Sequence, residues 1–218
     1  MPISQHRQVS AILDVIAHLN PASVLDVGMG IGTYGFLISR MLDTPRLMAD
    51  GKRDDGLRLV GIEGFPDYLG NVQHTIYDQV VVGDFVELIR HLADDEFDLV
   101  LAIDVVEHVR PDRMHSVLEH LARVGRVALV STPHVFAHQD EDPTNNHLQE
   151  HLSHPRRGDL VRAGFTTFLP DSASLIGVSA PPNWQRYLRR RLHRARVRSL
   201  LPPSGLGLLA EARERVGL

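Results

Sequence analysis

The chain has 218 residues, 43% of them hydrophobic with few aromatics, and a formal net charge of −4. That length suits one domain with an appendage, and that apolar content can bury a sizeable, mainly aliphatic core. The absence of cysteine excludes disulfides, cysteine-ligated zinc and thiol catalysis and fits a cytoplasmic setting, while no segment, Met1 to Leu19 included, is apolar over the length of a signal peptide or membrane span.

Val9, Ile12, Leu13, Ile16 and Leu19 repeat at helical spacing until Asn20-Pro21 stops the pattern. Residues 23–32 then read S-V-L-D-V-G-M-G-I-G, a short apolar strand over Ser23–Val27 that feeds Gly28, Gly30 and Gly32. Glycine tolerates positive φ and lets backbone approach a ligand closely. A helix that follows such a loop points its free N–H groups at the same place. The loop therefore predicts a nucleotide-like ligand at a strand-to-helix turn. Tyr34 to Leu42 reads as that helix, and the polar stretch 43–57 as a surface loop.

Further strands are expected over Arg58–Glu63, Val80–Val82, Phe97–Ile103 and Arg126–Val130. They lead into Glu63, Gly83-Asp84, Asp104 and Ser131-Thr132-Pro133-His134 respectively. A helix opens near Pro111 and buries Met114, Val117, Leu118 and Leu121. Helix Gly158–Ala163 and strands Phe165–Leu169 and Ser174–Val178 complete a domain expected to span 1–182. Strands that alternate with helices and are apolar nearly throughout form a parallel sheet covered on both faces. The unusual residues Gly28, Glu63, Asp84, Asp104 and His134 all fall at strand C-terminal ends, the rim where open α/β sheets bind ligands. Asp98 begins its strand, away from that rim, and is expected to cap backbone.

The glycines permit two registers. Gly30-x-Gly32-x-x-Gly35 matches a dinucleotide fingerprint, but the strand ends before Gly28, and no Gly-Lys-Ser/Thr follows to make a phosphate loop. The register Asp26-x-Gly28-x-Gly30-x-Gly32 resembles motif I of the class I S-adenosylmethionine-dependent methyltransferases. The resemblance continues in order through F-D-L-V-L-A-I-D-V-V-E-H-V, S-T-P-H at 131–134 and Gly164-Phe165. Two departures are the long 44–57 interval and Val124-Gly125-Arg126 in place of the family's usual P-G-G turn. The resemblance implies a doubly wound Rossmann-like α/β fold, with a mostly parallel seven-stranded sheet, an antiparallel last strand and helices on both faces. It implies S-adenosylmethionine as cofactor, held by Asp26, Gly28, Gly30, Gly32, Glu63, Asp84, Phe85 and Asp104. In that family the acid at Glu63 takes both ribose hydroxyls, a task suited to a carboxylate, and Asp84 with Phe85 forms the adenine site.

Methyl transfer to oxygen or nitrogen benefits from a base near neutral pKa, which favours histidine. Asp104, His108 and His134 are the catalytic candidates, the acceptor being expected to offer an oxygen of a sugar, lipid-linked or natural-product molecule. Asp104, Glu107 and His108 have i, i+3, i+4 spacing and share a face if the segment turns helically. The run is similar to the E-x-x-E-H metal motif of ubiquinone-biosynthesis O-methyltransferases and small-RNA 2′-O-methyltransferases, with Asp104 shorter than the family's Glu. That resemblance implies Mg²⁺, Mn²⁺ or Zn²⁺ on Asp104, Glu107, His108 and His147. Against it, D-V-x-E-H also occurs in metal-free class I methyltransferases. His147, His151 and His154 form a stripe if their segment is helical, and His134 to Pro155 is expected to cross the open end of the site.

Residues 183–218 carry nine Arg and two Glu, or +7, whereas the rest of the chain carries −11. Trp184, Tyr187, Leu188, Leu192 and Ala195 have near-helical spacing among the Arg residues, so a basic helical extension is expected. Such a helix can meet RNA phosphates or an anionic membrane, or leave its arginines in water while its apolar face packs on the domain. Leu208 to Val216 is a further helical stretch suited to a homodimer contact. A metal-dependent RNA 2′-O-methyltransferase and a non-catalytic S-adenosylmethionine-binding protein are the alternatives to a small-molecule methyltransferase.

Overall fold

A computed structural model describes residues 6–50, 56–136 and 146–199. The chain divides into two compact units, Met1–Pro181 and Pro182–Leu218. In the first, a 3₁₀ turn (His6–Gln8) leads into α1 (Val9–Leu19), which buries Ile12, Val15 and Ile16. Asn20 ends it in the left-handed region, φ 44°, with its N–H on Ile16 O at 2.9 Å. Then come β1 (Ser23–Val27), α2 (Thr33–Asp50), β2 (Arg58–Glu63), α3 (Asn71–Ile76), β3 (Gln79–Val82) and α4 (Phe85–Leu88). They are followed by β4 (Phe97–Ile103), α5 (Met114–Val124), β5 (Gly125–Pro133), α6 (Arg157–Arg162), β6 (Thr167–Leu169) and β7 (Ser174–Ser179).

The seven strands lie in the order β3-β2-β1-β4-β5-β7-β6. β3, β2, β1, β4 and β5 pair in parallel, while β7 runs antiparallel to both β5 and β6. This is the Rossmann-like sheet expected above. β1 pairs with β2 on one side and β4 on the other, Val27 facing both Ile62 and Ala102. The strand order therefore reverses beside β1, and the loops after β1 and β4 leave the sheet next to each other. Val27, Val100, Ala102, Ala128 and Val130 form the centre of the core, on which α5 lays Val117, Leu118 and Leu121. Asp98 accepts from the N–H groups of Ala22 (3.0 Å) and Ser23 (3.2 Å), the backbone-capping role expected from its place at the strand start.

Three expectations need correction. The stretch 43–57 is not a loop throughout, because α2 continues to Asp50. Proline fits a helix in φ but lacks an N–H and crowds the carbonyl four residues earlier, a cost that the good helix formers Leu47, Met48 and Ala49 after Pro45 help to offset. Asp104, Glu107 and His108 do not share one helical face: a 3₁₀ turn covers only Val106–His108, and Asp104 stands before it at φ 52°. His147, His151 and His154 do not form a helical stripe, since only His147–Gln149 turns, as 3₁₀, and no helix covers 150–156. Backbone bonds to Glu107 hold that segment instead.

The second unit contains α7 (Pro182–Ser199), with seven Arg and no acid in 18 residues. The Trp184 and Tyr187 rings meet edge-on at 5.6 Å. The helical stretch expected at 208–216 lies outside the described residues. Among the described residues no helix is long and apolar enough to cross a membrane.

Candidate active site

The loop after β1 is built for close approach. Gly28, Gly30 and Gly32 have φ of 65°, 55° and 85°. A Cβ on Gly28 would lie 2.5 Å from Val105 Cγ2, so a side chain there meets both backbone strain and the exit of β4. Asp26, only 3% exposed, accepts a 2.6 Å hydrogen bond from the Tyr77 hydroxyl. Burial pushes the Asp26 carboxyl up to about 6, while the Tyr77 hydroxyl opposes the shift. The Tyr77 ring fills the space where a Cβ on Gly35 would lie, so Asp26 and Tyr77 brace the glycine loop and the first turn of α2 from below. The sequence carries no signal for Tyr77, 51 residues from its partner.

Glu63, at the end of β2, accepts from Gly30 N–H on Oε2 and from Phe65 N–H on Oε1, both at 2.8 Å. An ionised carboxylate has about four acceptor sites, so both oxygens retain capacity for a pair of hydroxyls. Burial raises the Glu63 pKa, and the hydrogen bonds from Phe65 and Gly30 oppose it. Asp84 is exposed and caps α4 by accepting from Val86 N–H at 2.9 Å, with Phe85 half-buried beside it. Glu63 and Asp84 thus occupy the ends of the neighbouring strands β2 and β3, on the side of β1 away from β4.

On the other side of the switch point, Ser131 and the N-terminal 3₁₀ turn hold Asp104. Its N–H meets Ser131 O at 3.1 Å, its Oδ1 accepts from Ser131 Oγ at 3.0 Å, and its Oδ2 accepts from Gln8 Nε2 at 2.6 Å. Glu107 is 3% exposed, and its Oε2 is buried without a hydrogen-bond partner. Burial, reinforced by the Asp104 charge, pushes the Glu107 carboxyl up to about 8. Thr132 beside it weakly opposes that shift, although the two groups fall outside hydrogen-bond geometry. His108 Nδ1 lies 2.9 Å from Glu150 O and donates to it, because a carbonyl can only accept. Burial lowers the His108 pKa, which leaves a neutral ring with its lone pair on Nε2.

The segment after β5 crosses these strand ends. Leu148 Cδ1 overlies Gly64, next to Glu63. Leu152 and Ser153 both donate to Glu107 O at 3.0 Å. The His151 ring lies 5.1 Å from that of His108 and 6.1 Å from that of Phe136, and His154 lies 5.7 Å from Phe136. One ligand atom each from Glu107, His108 and His151 falls within 4.8 Å of the others. His147 and Asp104 stand outside that group, His147 being exposed on its 3₁₀ turn. His134 is also exposed, and its Nε2 reaches Asp171 O at 3.2 Å on the side of β7.

Residues 25–127 match the family described as "Methyltransferase domain". No curated protein matches the chain in sequence. In structure it is similar to the N-terminal domain of EvdMO1, crystallised with S-adenosylhomocysteine (SAH) and D-fucose: 20% identity over 82% of this chain and 84% of that one, TM-score 0.53. It is also similar to an O-methyltransferase family protein from Burkholderia thailandensis, 17% identical over 81% of this chain and 57% of that one, TM-score 0.52. A third likeness is to monomeric WbdD, 18% identical over 81% of this chain and 41% of that one, TM-score 0.56. With the glycine loop, the strand-end acid Glu63 and the switch point in place, residues 25–127 match a methyltransferase domain on a Rossmann-like fold, and the protein is an S-adenosylmethionine-dependent methyltransferase.

Proposed function

We propose that the protein transfers a methyl group to an oxygen of a small-molecule acceptor, such as a sugar, lipid-linked or natural-product hydroxyl, with His108 as the base. The observation that carries this reading is the Nδ1–Glu150 O bond at 2.9 Å, which fixes the His108 tautomer and leaves Nε2 as a proton acceptor on a half-buried ring. The EvdMO1 domain was crystallised with a sugar, and the Burkholderia protein is described as an O-methyltransferase; both agree with an oxygen acceptor.

The residues of the β1–β2–β3 rim fit the cofactor. Glu63 has acceptor capacity left for the ribose hydroxyls, Asp84 and Phe85 suit the amine and face of adenine, and the positive-φ glycines leave room for its backbone contacts. When bound, S-adenosylmethionine supplies an electrophilic methyl group on a sulfonium. His108 Nε2 removes the hydroxyl proton as the acceptor oxygen attacks that carbon, and the carbon–sulfur electron pair stays on sulfur. Phe136, His151 and His154 line the acceptor side. His134 stands at the margin of this pocket, where it orients the acceptor. A screen of sugar, phenol, lipid and RNA acceptors with labelled cofactor tests the reading. His108→Ala is expected to lower turnover on the best acceptor by roughly 10²–10⁴-fold and leave cofactor affinity unchanged.

A second reading is a metal-assisted methyltransferase similar to the ubiquinone-biosynthesis or RNA 2′-O-methylating enzymes. It is favoured by the grouping of Glu107, His108 and His151, in which His151 stands in place of Asp104 and His147. The His108 Nδ1–carbonyl bond resembles the outer contact that ligating histidines make. Metal analysis and chelator treatment separate the two readings: chelator-resistant turnover removes the second. The basic α7 is proposed to meet RNA phosphates or an anionic membrane, and a homodimer is proposed through the C-terminal stretch. A salt-sensitive gel shift and vesicle sedimentation distinguish the first two, and light scattering tests the third.

A further inference from the structure

A row of rings leads away from His108. The His108 and His151 centroids are 5.1 Å apart, those of His151 and Phe136 6.1 Å, and those of Phe136 and His154 5.7 Å. These are the separations of interacting rings. Phe136 is 43% exposed, so ring surface stays open to a ligand although an imidazole flanks it on either side. The backbone under the row is held. Glu150 O accepts from His108 Nδ1 at 2.9 Å, and the N–H groups of Leu152 and Ser153 donate to Glu107 O at 3.0 Å, so His151 is fixed from both neighbours. After His154, Pro155 is buried and the Arg156 N–H donates to Asp159 Oδ2 at 2.7 Å at the start of α6. Two residues before Phe136, the His134 N–H donates to Ala173 O at 2.9 Å. Aromatic surface on held backbone loses little freedom when a ligand covers it.

The row alternates polar and apolar surface. Phe136 has a negative ring face that attracts C–H groups, whereas a neutral imidazole offers one N–H donor and one acceptor nitrogen. A ligand lying over Phe136 between the two imidazoles must therefore present C–H groups from its face and hydroxyls from its edge. The hydroxyl to be methylated belongs at His108, so hydroxyls for His151 and His154 are additional ones. A simple phenol has a single hydroxyl, which His108 takes, and a polyprenyl or acyl chain has none along its length. Either would dehydrate the imidazole nitrogens without replacing their hydrogen bonds. A pyranose carries several hydroxyls around its C–H faces, each both donor and acceptor. We propose that Phe136, between His151 and His154, is the platform for a pyranose ring of the acceptor, with the ring's C–H face on Phe136 and its edge hydroxyls on the imidazole nitrogens. The platform rests on the oxygen-transfer reading above, with His108 as base, and narrows its acceptor to a sugar. Phe136 is then a specificity-determining residue and takes no part in the proton transfer.

The probes are methyl glycosides of common hexoses, phenol and a short-chain polyprenol, given to the full chain with labelled S-adenosylmethionine. The wild type is expected to methylate a glycoside and neither of the others. Phe136→Leu keeps an apolar side chain and loses the aromatic face. It is expected to raise the glycoside KM about ten-fold with a smaller change in kcat, while Phe136→Tyr keeps the wild-type value. His154→Ala is expected to raise KM as well, and all three variants to bind SAH as the wild type does in calorimetry. An unchanged KM in Phe136→Leu overturns the platform, as does an equal loss of SAH affinity, which marks a structural role. Preference for phenol or polyprenol over every glycoside also overturns it and leaves the oxygen-transfer reading standing. Saturation-transfer NMR on the SAH-loaded chain reads glycoside binding apart from turnover, and a wild type that neither binds nor methylates any glycoside overturns the platform. Glycoside turnover that survives His108→Ala removes the base reading, and the KM of Phe136→Leu then decides the platform alone.

Discussion

The two sides of the sheet's switch point are built differently. On the β1–β2–β3 side, Gly28, Gly30, Glu63 and Asp84 hold their places through backbone: positive φ in the loop, N–H bonds into Glu63, and a helix cap at Asp84. On the β4–β5 side, Asp104, Glu107 and His108 depend on distant partners: Gln8 lies 96 residues from Asp104, and Glu150 lies 42 residues from His108. One rim is set mainly by backbone, through glycine conformation and N–H donors, and the other by side chains that reach partners in other segments. The difference suits the two proposed tasks. A cofactor is constant, so a cradle of backbone groups serves it, whereas an acceptor pocket is shaped by the segment that crosses it.

The comparison predicts that variants on one side lose binding and variants on the other lose turnover. The largest effect is expected for His108→Ala, a fall of roughly 10²–10⁴-fold in kcat without change in cofactor affinity. Calorimetry and initial rates check it, and equal losses in both would erase the distinction between the rims. Glu63→Ala is expected next: about a hundred-fold weaker cofactor binding, since it removes the proposed ribose acceptor and leaves Gly30 N–H unpaired.

Asp26 sharpens the comparison through pH. Its carboxyl titrates at about 6 in the fold, above its ordinary 3.8, so the folded state holds the proton longer than the unfolded state does. The stability this contributes is complete below pH 3.8 and is lost as pH rises through about 6. Asp26→Asn should flatten that loss, on the order of 2 kcal/mol, in urea midpoints measured from pH 4 to 7. Tyr77→Phe is expected to be the smallest effect, about 1 kcal/mol of stability, because the buried Asp26 carboxyl loses its hydroxyl partner. A larger effect on cofactor affinity than on stability would show that the brace under the loop acts on binding first.

Much of the β1–β2–β3 rim was legible in the chain. Apolar runs ending in glycine or an acid identify the strands and their functional ends, because a strand buried on both faces must be apolar and its polar residues gather where it leaves the sheet. Asp98 could be read as a capping residue for the same reason, and it caps Ala22 and Ser23. The braces were not legible. Tyr77 and Gln8 are single residues with no periodic pattern, and their partners lie in other elements. His151 was visible as one of many histidines, and nothing in the spacing sets it apart from His147.

By itself, the sequence determines the alternation of strands and helices, the parallel core and the glycine loop with its following acids, all from residue type and short-range spacing. Tertiary structure decides which polar atoms meet: Asp26 with Tyr77, Asp104 with Gln8 and Ser131, and His108 with the carbonyl of Glu150. Short-range patterns follow from steric rules that act within a few residues. Hydrogen-bond pairing across 27 to 96 residues exists only once the sheet has brought those segments together.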